Sequence, residues 1–313
     1  MELAKIALIQ VVILFFMIFL GFLLTKLNLI KMEAKTTITN ILVYIVVPFM
    51  IVNSYITTSF DPNVITNLLW CFLFSFIAMA VCGVVIMFAT HFWKLEQKNI
   101  LRFAMIFSNS AYMGFPLIEA LFGSTSLIYA SSFLTVFNIL LWTFGYGLVS
   151  GSFNPKKVVV SILKTPVIYA LILGLILFFC RVEVPSVIQT PIATIGNMNT
   201  PLSMFLIGML MTKLNLKKVF SNLYMWLTIF IKLIICPFIT LGILCLFKTF
   251  ISLDSLMLQV IFVLMACPCV SITSVFAIQF GYDEDIAISS IVISTLLSMI
   301  TLPLFTLFIS NIL

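Results

Sequence analysis

The chain is a succession of long apolar stretches divided by short polar or charged breaks. The stretches lie at about 6–25, 37–57, 65–90, 101–122, 126–150, 158–180, 191–212, 222–247, 256–280 and 286–310. Each is close to the roughly 20 residues that an α-helix needs to cross the hydrocarbon core of a bilayer. A helix satisfies its own backbone amides there, which an open strand cannot. The pattern therefore predicts an all-α polytopic membrane protein with ten transmembrane helices. The first stretch, Ile6 to Leu24, is too long for a signal peptide and has no small-residue cleavage site after it, so it is expected to remain as the first helix. The spans at 37–57 and 191–212 are the least hydrophobic, and each contains a proline.

The two halves repeat. Pro48 and Pro116 are 68 positions apart, and Pro201 and Pro268 are 67 apart. The segment from Phe122 to Phe133 aligns with Phe280 to Ile291 at a constant offset of 158, with five of twelve positions identical, among them Gly123 with Gly281. Each half, 1–150 and 151–313, carries five spans. An odd number of crossings turns the second copy upside down. The expected architecture is a 5+5 inverted repeat, the plan of secondary transporters, whose binding sites lie near the midplane where the repeats meet.

Composition narrows the class. The chain is 63% hydrophobic and 8% charged, against about a quarter charged in a soluble domain. A water-soluble enzyme, a disordered chain and a nucleic-acid binder are excluded. The net charge of +6 reflects topology. Lys26, Lys31, Lys35, Lys94, Lys98, Arg102, Lys156, Lys157, Lys164, Lys213, Lys217 and Lys218 fall in alternate loops, whereas Lys5, Arg181 and Lys248 lie on the other side. The positive-inside tendency puts the four basic loops in the cytoplasm and both termini outside, in a multi-pass protein of the cell membrane. Seven cysteines, nearly all in apolar runs, read as small core hydrophobes rather than a disulfide framework.

Two spans carry chemistry. Span four holds Ser108-Asn109-Ser110-Ala111-Tyr112-Met113-Gly114-Phe115-Pro116, and span nine holds Ala266-Cys267-Pro268-Cys269-Val270-Ser271-Ile272-Thr273-Ser274. A proline removes a donor and frees carbonyls one turn upstream. After each interruption a half-helix begins, whose free N–H groups form a positive end. Two such ends brought together by inverted symmetry would hold an anion without an arginine. The candidate binding residues are Ser108, Asn109, Ser110, Tyr112, Gly114, Pro116, Cys267, Pro268, Cys269, Ser271 and Thr273, with Pro48 of span two. Glu119 and Lys232 are intramembrane ionisable residues and so candidates for coupling. Glu119 would carry a proton, or else sit at the outer interface. Lys232 would pair with substrate or Glu119, or else snorkel to the interface. Asn53, Asn138 and Asn197 suit helix–helix hydrogen bonds. Cys267-Pro268-Cys269 also admits a soft-metal reading such as Cu(I), but the chain has no P-loop to power a pump. No motif of a membrane-embedded hydrolase is present, and none calls for a cofactor. A non-transporting sensor is the remaining alternative.

These motifs resemble the auxin efflux carrier family, which includes bacterial permeases. Asn109-x-x-Tyr-x-Gly-Phe-Pro116-Leu is similar to its helix-four signature. Pro166-x-x-x-Ala170-x-x-x-Gly174 resembles its helix six, Pro201-Leu202 with Gly208 its helix seven, and Gly281-Tyr-Asp-Glu with Ser294-Thr295, Ser298 and Thr301-Leu-Pro303 its C-terminal signature. Thr165 stands where the family often has Asn, and cysteines flank Pro268 where small or hydroxyl residues are more usual. The resemblance implies an elevator-like carrier. Helices 1, 2, 6 and 7 would form a scaffold that dimerises through helices 2 and 7, and helices 3–5 and 8–10 would transport. Crossed helices 4 and 9 would hold a malate-, malonate- or auxin-like carboxylate, with Asn109 as an amide donor and Pro116 and Pro268 setting the crossover. H⁺ or Na⁺ are the candidate coupling ions.

Overall fold

The computed structural model describes residues 2–58, 62–151, 166–214, 222–251 and 253–313. Lys156, Lys157, Lys164, Thr165, Lys217 and Lys218 lie outside the described residues. Within them the regular structure is helical throughout. The helices are α1 (Glu2–Lys26), α2 (Ala34–Ile56), α3 (Pro62–Ala89), α4 (Lys98–Ile106), α5 (Ser110–Phe122), α6 (Ser124–Ser150), α7 (Pro166–Phe179), α8 (Ser186–Asn197), α9 (Asn199–Met211), α10 (Leu223–Lys248), α11 (Ser255–Ala266), α12 (Thr273–Phe280) and α13 (Glu284–Ile312).

Six of these, α1, α2, α3, α6, α10 and α13, are long and apolar enough by length and composition to cross a membrane. The spans expected at 101–122, 191–212 and 256–280 are each divided into two shorter helices. At 1.5 Å per residue none of those pieces alone bridges a core about 30 Å thick.

Pro116, expected to interrupt span four, is instead absorbed, as are two other prolines inside helices. Pro48, Pro116 and Pro237 each follow directly on a π turn, at Leu42–Val46, Ser110–Gly114 and Ile231–Ile235. The wider turn shifts the bonding register, so a missing N–H and a ring near the preceding turn no longer break the helix. Pro48 thus lies inside a continuous α2. The shared Phe-Gly of the two halves has a local cause. Gly123 (φ 81°) ends α5 and Gly281 (φ 75°) ends α12, in the left-handed region that only glycine adopts without penalty. Asp283 then opens α13 by accepting the amides of Asp285 and Ile286 at 2.8 and 3.4 Å.

Arg102, expected in a loop, is 7% exposed within α4. Its Nε donates to Thr90 Oγ1 at 2.7 Å and its Nη2 to the Met87 carbonyl at 3.1 Å. A cation at the end of α3 satisfies terminal carbonyls and suits the helix dipole.

Helices α2, α7 and α8 pack together, and α1 packs on α9 and α13. Small residues let backbones approach inside a membrane. A Cβ on Gly208 would overlap the Ile18 carbonyl of α1, and one on Gly21 would lie 2.5 Å from the Phe205 carbonyl. A Cβ on Gly83 of α3 meets nothing within 4 Å. Gly208→Ala is therefore expected to destabilise the protein by about 1–3 kcal/mol through overpacking. Gly83→Ala should leave it unchanged or stabilise it by up to about 1 kcal/mol through helix propensity. Thermal unfolding in detergent checks the contrast, and equal effects at the two positions would contradict it.

Candidate functional site

α4 stops at Ile106 because Phe107 turns extended, at φ −95° and ψ 125°. α11 stops at Ala266 because Cys267 does the same, at φ −59° and ψ 151°, the region preferred before a proline. The two extended stretches meet. Ser108 pairs with Cys269 in an antiparallel bridge. The Asn109 amide donates to the Pro268 carbonyl at 2.7 Å, and the Val270 amide to the Phe107 carbonyl at 3.1 Å. Each interruption thus supplies what the other lacks.

Neighbouring helices satisfy what remains. The Cys269 amide donates to Ser294 Oγ at 3.1 Å. Ser108 Oγ donates to the Met265 carbonyl at 3.2 Å and accepts from Lys232 Nζ at 2.6 Å. The carbonyls one turn before Pro116 are freed as expected, and α9 takes them: Asn199 Nδ2 donates to Ala111 at 2.8 Å and Ser203 Oγ to Tyr112 at 3.3 Å. The positive end expected at the breaks is correspondingly narrower, since the amides of Asn109 and Val270 are occupied by the bridge. At the first turn of α5 the amides of Met113 and Gly114 already bond the Asn109 carbonyl, and those of Ser110, Ala111 and Tyr112 precede any intrahelical partner.

A cavity of about 90 Å³ opens against this turn. Ser108, Asn109, Ala111 and Tyr112 form one wall; Asn138 and Trp142 of α6, Val43 and Val47 of α2, and Val270 and Ile272 are among the others. Asn109 is 1% exposed and its Nδ2 has no hydrogen-bond partner. A buried donor left without a partner is expensive. Asn138 bonds back to Leu134 in its own helix at 2.7 Å rather than across helices.

The other candidates scatter around the crossing. Ser110 is buried and donates to the Ser108 carbonyl at 3.4 Å. Gly114 lets α5 touch α11: a Cβ there would lie 2.5 Å from Leu264 Cδ2 and 3.4 Å from Cys267 Sγ. Thr273 caps its own turn by donating to the Val270 carbonyl at 2.7 Å. Ser271, whose Oγ is unpartnered, lines a separate small cavity with Tyr112, Lys35 and Ser274. Pro48 lines none of these cavities. Pro116 and Glu119 face a second cavity of about 290 Å³, shared with Asn53, Thr57, Asn197 and Asn199. Glu119 is exposed there and makes no ion pair with Lys232; the ion pair among the described residues joins Lys35 to Glu284 at 3.5 Å. Lys232 does not snorkel, being 0% exposed. The two thiols of Cys267-Pro268-Cys269 part company. Cys267 Sγ donates to the Val263 carbonyl at 3.4 Å, whereas Cys269 packs with Ala104 and Ile291. Among the described residues no three metal-ligating side chains gather.

Comparison with known proteins decides the class. The profile of the family described as "Membrane transport protein" matches residues 6–155 and 153–306. The chain belongs to this family, the one its motifs resemble. This transporter is similar to an uncharacterized transporter of Methanothermobacter thermautotrophicus, 23% identical over 295 residues that cover 93% of this chain and 94% of the relative. It is also similar to an uncharacterized transporter of Methanocaldococcus jannaschii, 22% identical over 306 residues that cover 94% and 96%. Several apolar helices and this membership make it a multi-pass membrane transporter.

Sequence reasoning missed Ser294, Asn199 and Ser203 as partners of the interrupted backbone. The four-residue spacing of Asn199 and Ser203, one helical face, was the available signal. Ser294→Ala leaves the buried Cys269 amide unpaired and is expected to cost about 1–2 kcal/mol. Ser294→Thr keeps a hydroxyl and should lose less. Unfolding of the purified variants reads the difference, and an unshifted Ser294→Ala would remove this bond from the crossing.

Proposed function

We propose that the transporter carries a small organic anion across the cell membrane. Its ten spans would form a 5+5 inverted repeat with both termini outside. The observation that carries this reading is the buried, unpartnered side-chain Nδ2 of Asn109, a residue of the cavity wall at the first turn of α5. A carboxylate there accepts from Asn109 Nδ2 and from the open amides of that turn. The valine, leucine and aromatic walls take the carbon skeleton. At roughly 10–15 Å³ per water-sized group, a 90 Å³ cavity holds about six to nine non-hydrogen atoms. That suits malonate or malate better than an indole acid.

Alternating access follows from the two cavities. The smaller meets α2 at Val43 and Val47, and the larger meets it at Met50, Asn53 and Thr57, so the crossing of α4–α5 with α11–α12 lies between two potential vestibules. In this reading α1, α2, α7, α8 and α9 are a scaffold that dimerises through its second and seventh spans, and the remaining helices move with the anion as an elevator. The packing of α2 on α7 and α8 supports that division. The two stretches of the family match, which meet near residue 153, and the equivalent glycines that end α5 and α12 support the 5+5 repeat. Glu119 in the polar cavity is a route for H⁺ or Na⁺.

The test is uptake of labelled malonate and malate, with indole-3-acetate for comparison, into proteoliposomes. The small dicarboxylates should be transported. Asn109→Ala should weaken binding roughly tenfold to hundredfold, because a lost donor to a charged group is worth about 1.5–3 kcal/mol. Unchanged affinity in that variant would take Asn109 out of the site, and no uptake of any of the three acids would refute the anion reading.

A further inference from the structure

A groove of about 770 Å³ runs between the last turns of α3, the length of α4 and part of α6. None of the candidate solute-binding side chains lines it. Its α3 wall is one helical face: Met79, Gly83 and Met87 recur every four residues, with Ala80, Val84 and Phe88 beside them. A Cβ on Gly83 would meet nothing within 4 Å, and Phe88 is 82% exposed. Leu140 and Phe144 of α6 add apolar surface. The α4 wall changes character along its length. Lys98 and Arg102 stand at its start, Ile106 follows at the same spacing, and Phe107 comes next.

This gradient matches one leaflet of a bilayer. Met79 lies ten residues before Ala89, the last residue of α3. At 1.5 Å per residue that is about 15 Å, half of a hydrocarbon core about 30 Å thick. The cations therefore sit at headgroup level, with carbon walls beneath them. Lys98 Nζ donates to the His91 carbonyl at 2.7 Å, and Arg102 spends two of its guanidinium donors on Thr90 and Met87. Neither cation joins an ion pair among the described residues, and no carboxylate lines the groove. The two are near enough to repel one another. Like charges held together above apolar walls favour an anion shared between them.

We propose that this groove binds an anionic phospholipid, its phosphate between Lys98 and Arg102 and its acyl chains laid along α3 toward Phe107. Size agrees. At roughly 10–15 Å³ per water-sized group, 770 Å³ takes about fifty or more non-hydrogen atoms. A small dicarboxylate leaves most of that empty, whereas a lipid with two chains fills it. The chains reach Phe107, whose carbonyl accepts the Val270 amide, so the bound lipid braces the back of the crossing. The site is independent of which solute is carried.

The test is native mass spectrometry with thermal unfolding of the purified full chain, in the presence of dioleoyl-phosphatidylglycerol, dioleoyl-phosphatidylcholine or inorganic phosphate. Phosphatidylglycerol should bind at least about tenfold more tightly than phosphatidylcholine, the worth of two interfacial cations, and should raise the unfolding temperature. Phosphate alone should do neither. Lys98→Gln should cut that preference roughly fivefold, the share of one charge. Gly83→Leu fills the groove and leaves every charge in place, so it should bind phosphatidylglycerol at least about tenfold more weakly through lost chain burial. Without lipid both variants should unfold near the wild-type temperature, since Lys98 is part-exposed and Gly83 faces open space. Equal binding of the two lipids would leave an acyl groove with no headgroup recognition and overturns the proposal. Binding of phosphate as tightly as of phosphatidylglycerol makes it a site for a free anion and overturns it too. So does a wild-type preference and affinity retained in both variants.

Discussion

Two hydrogen bonds between interrupted helices hold the centre of this molecule together. Hydrocarbon offers no water to an exposed amide or carbonyl, and each unpaired group costs several kcal/mol. A break in one helix at that depth is therefore unstable by itself. Here the Asn109 amide reaches the Pro268 carbonyl and the Val270 amide reaches the Phe107 carbonyl, so two defects become one short antiparallel bridge. Ser294, Asn199, Ser203 and Ser108 then satisfy the groups that the bridge leaves over.

The same economy of polar groups defines the candidate site. Because the crossing satisfies most of its own atoms, the exceptions are informative. The side-chain Nδ2 of Asn109 lacks a partner beside one cavity, and the side-chain Oδ1 atoms of Asn53 and Asn199 lack one beside the other. One cavity thus has an unpaired donor in its wall and the other unpaired acceptors. Lys232 stands behind the first cavity, fully buried and bonded to Ser108.

The prolines mark the boundary between local and tertiary information. Pro48, Pro116, Pro237 and Pro268 look alike in sequence as potential breaks. Three of them sit just after a π turn inside continuous helix, and only Pro268 lies in a true interruption. In the other interrupted strand the break falls at 107–109, well before Pro116. A proline forbids one hydrogen bond, but whether the helix widens or opens depends on whether a partner waits across the gap.

The sequence by itself determined the class. Long apolar runs forced a helical membrane protein and the motifs reached the right family; the Phe-Gly positions, legible in sequence as a mark of the repeat, end α5 and α12, since a left-handed φ is a local demand that glycine alone meets cheaply. It also singled out Ser108, Asn109 and Lys232, because polar residues in apolar runs need a reason to be there. It could not say that Lys232 bonds Ser108 rather than Glu119, that Glu119 opens on another cavity, or that Arg102 leaves its loop to hold the end of α3. Those are contacts between residues 12 to 124 positions apart, and only packing in three dimensions chooses among the partners that composition allows.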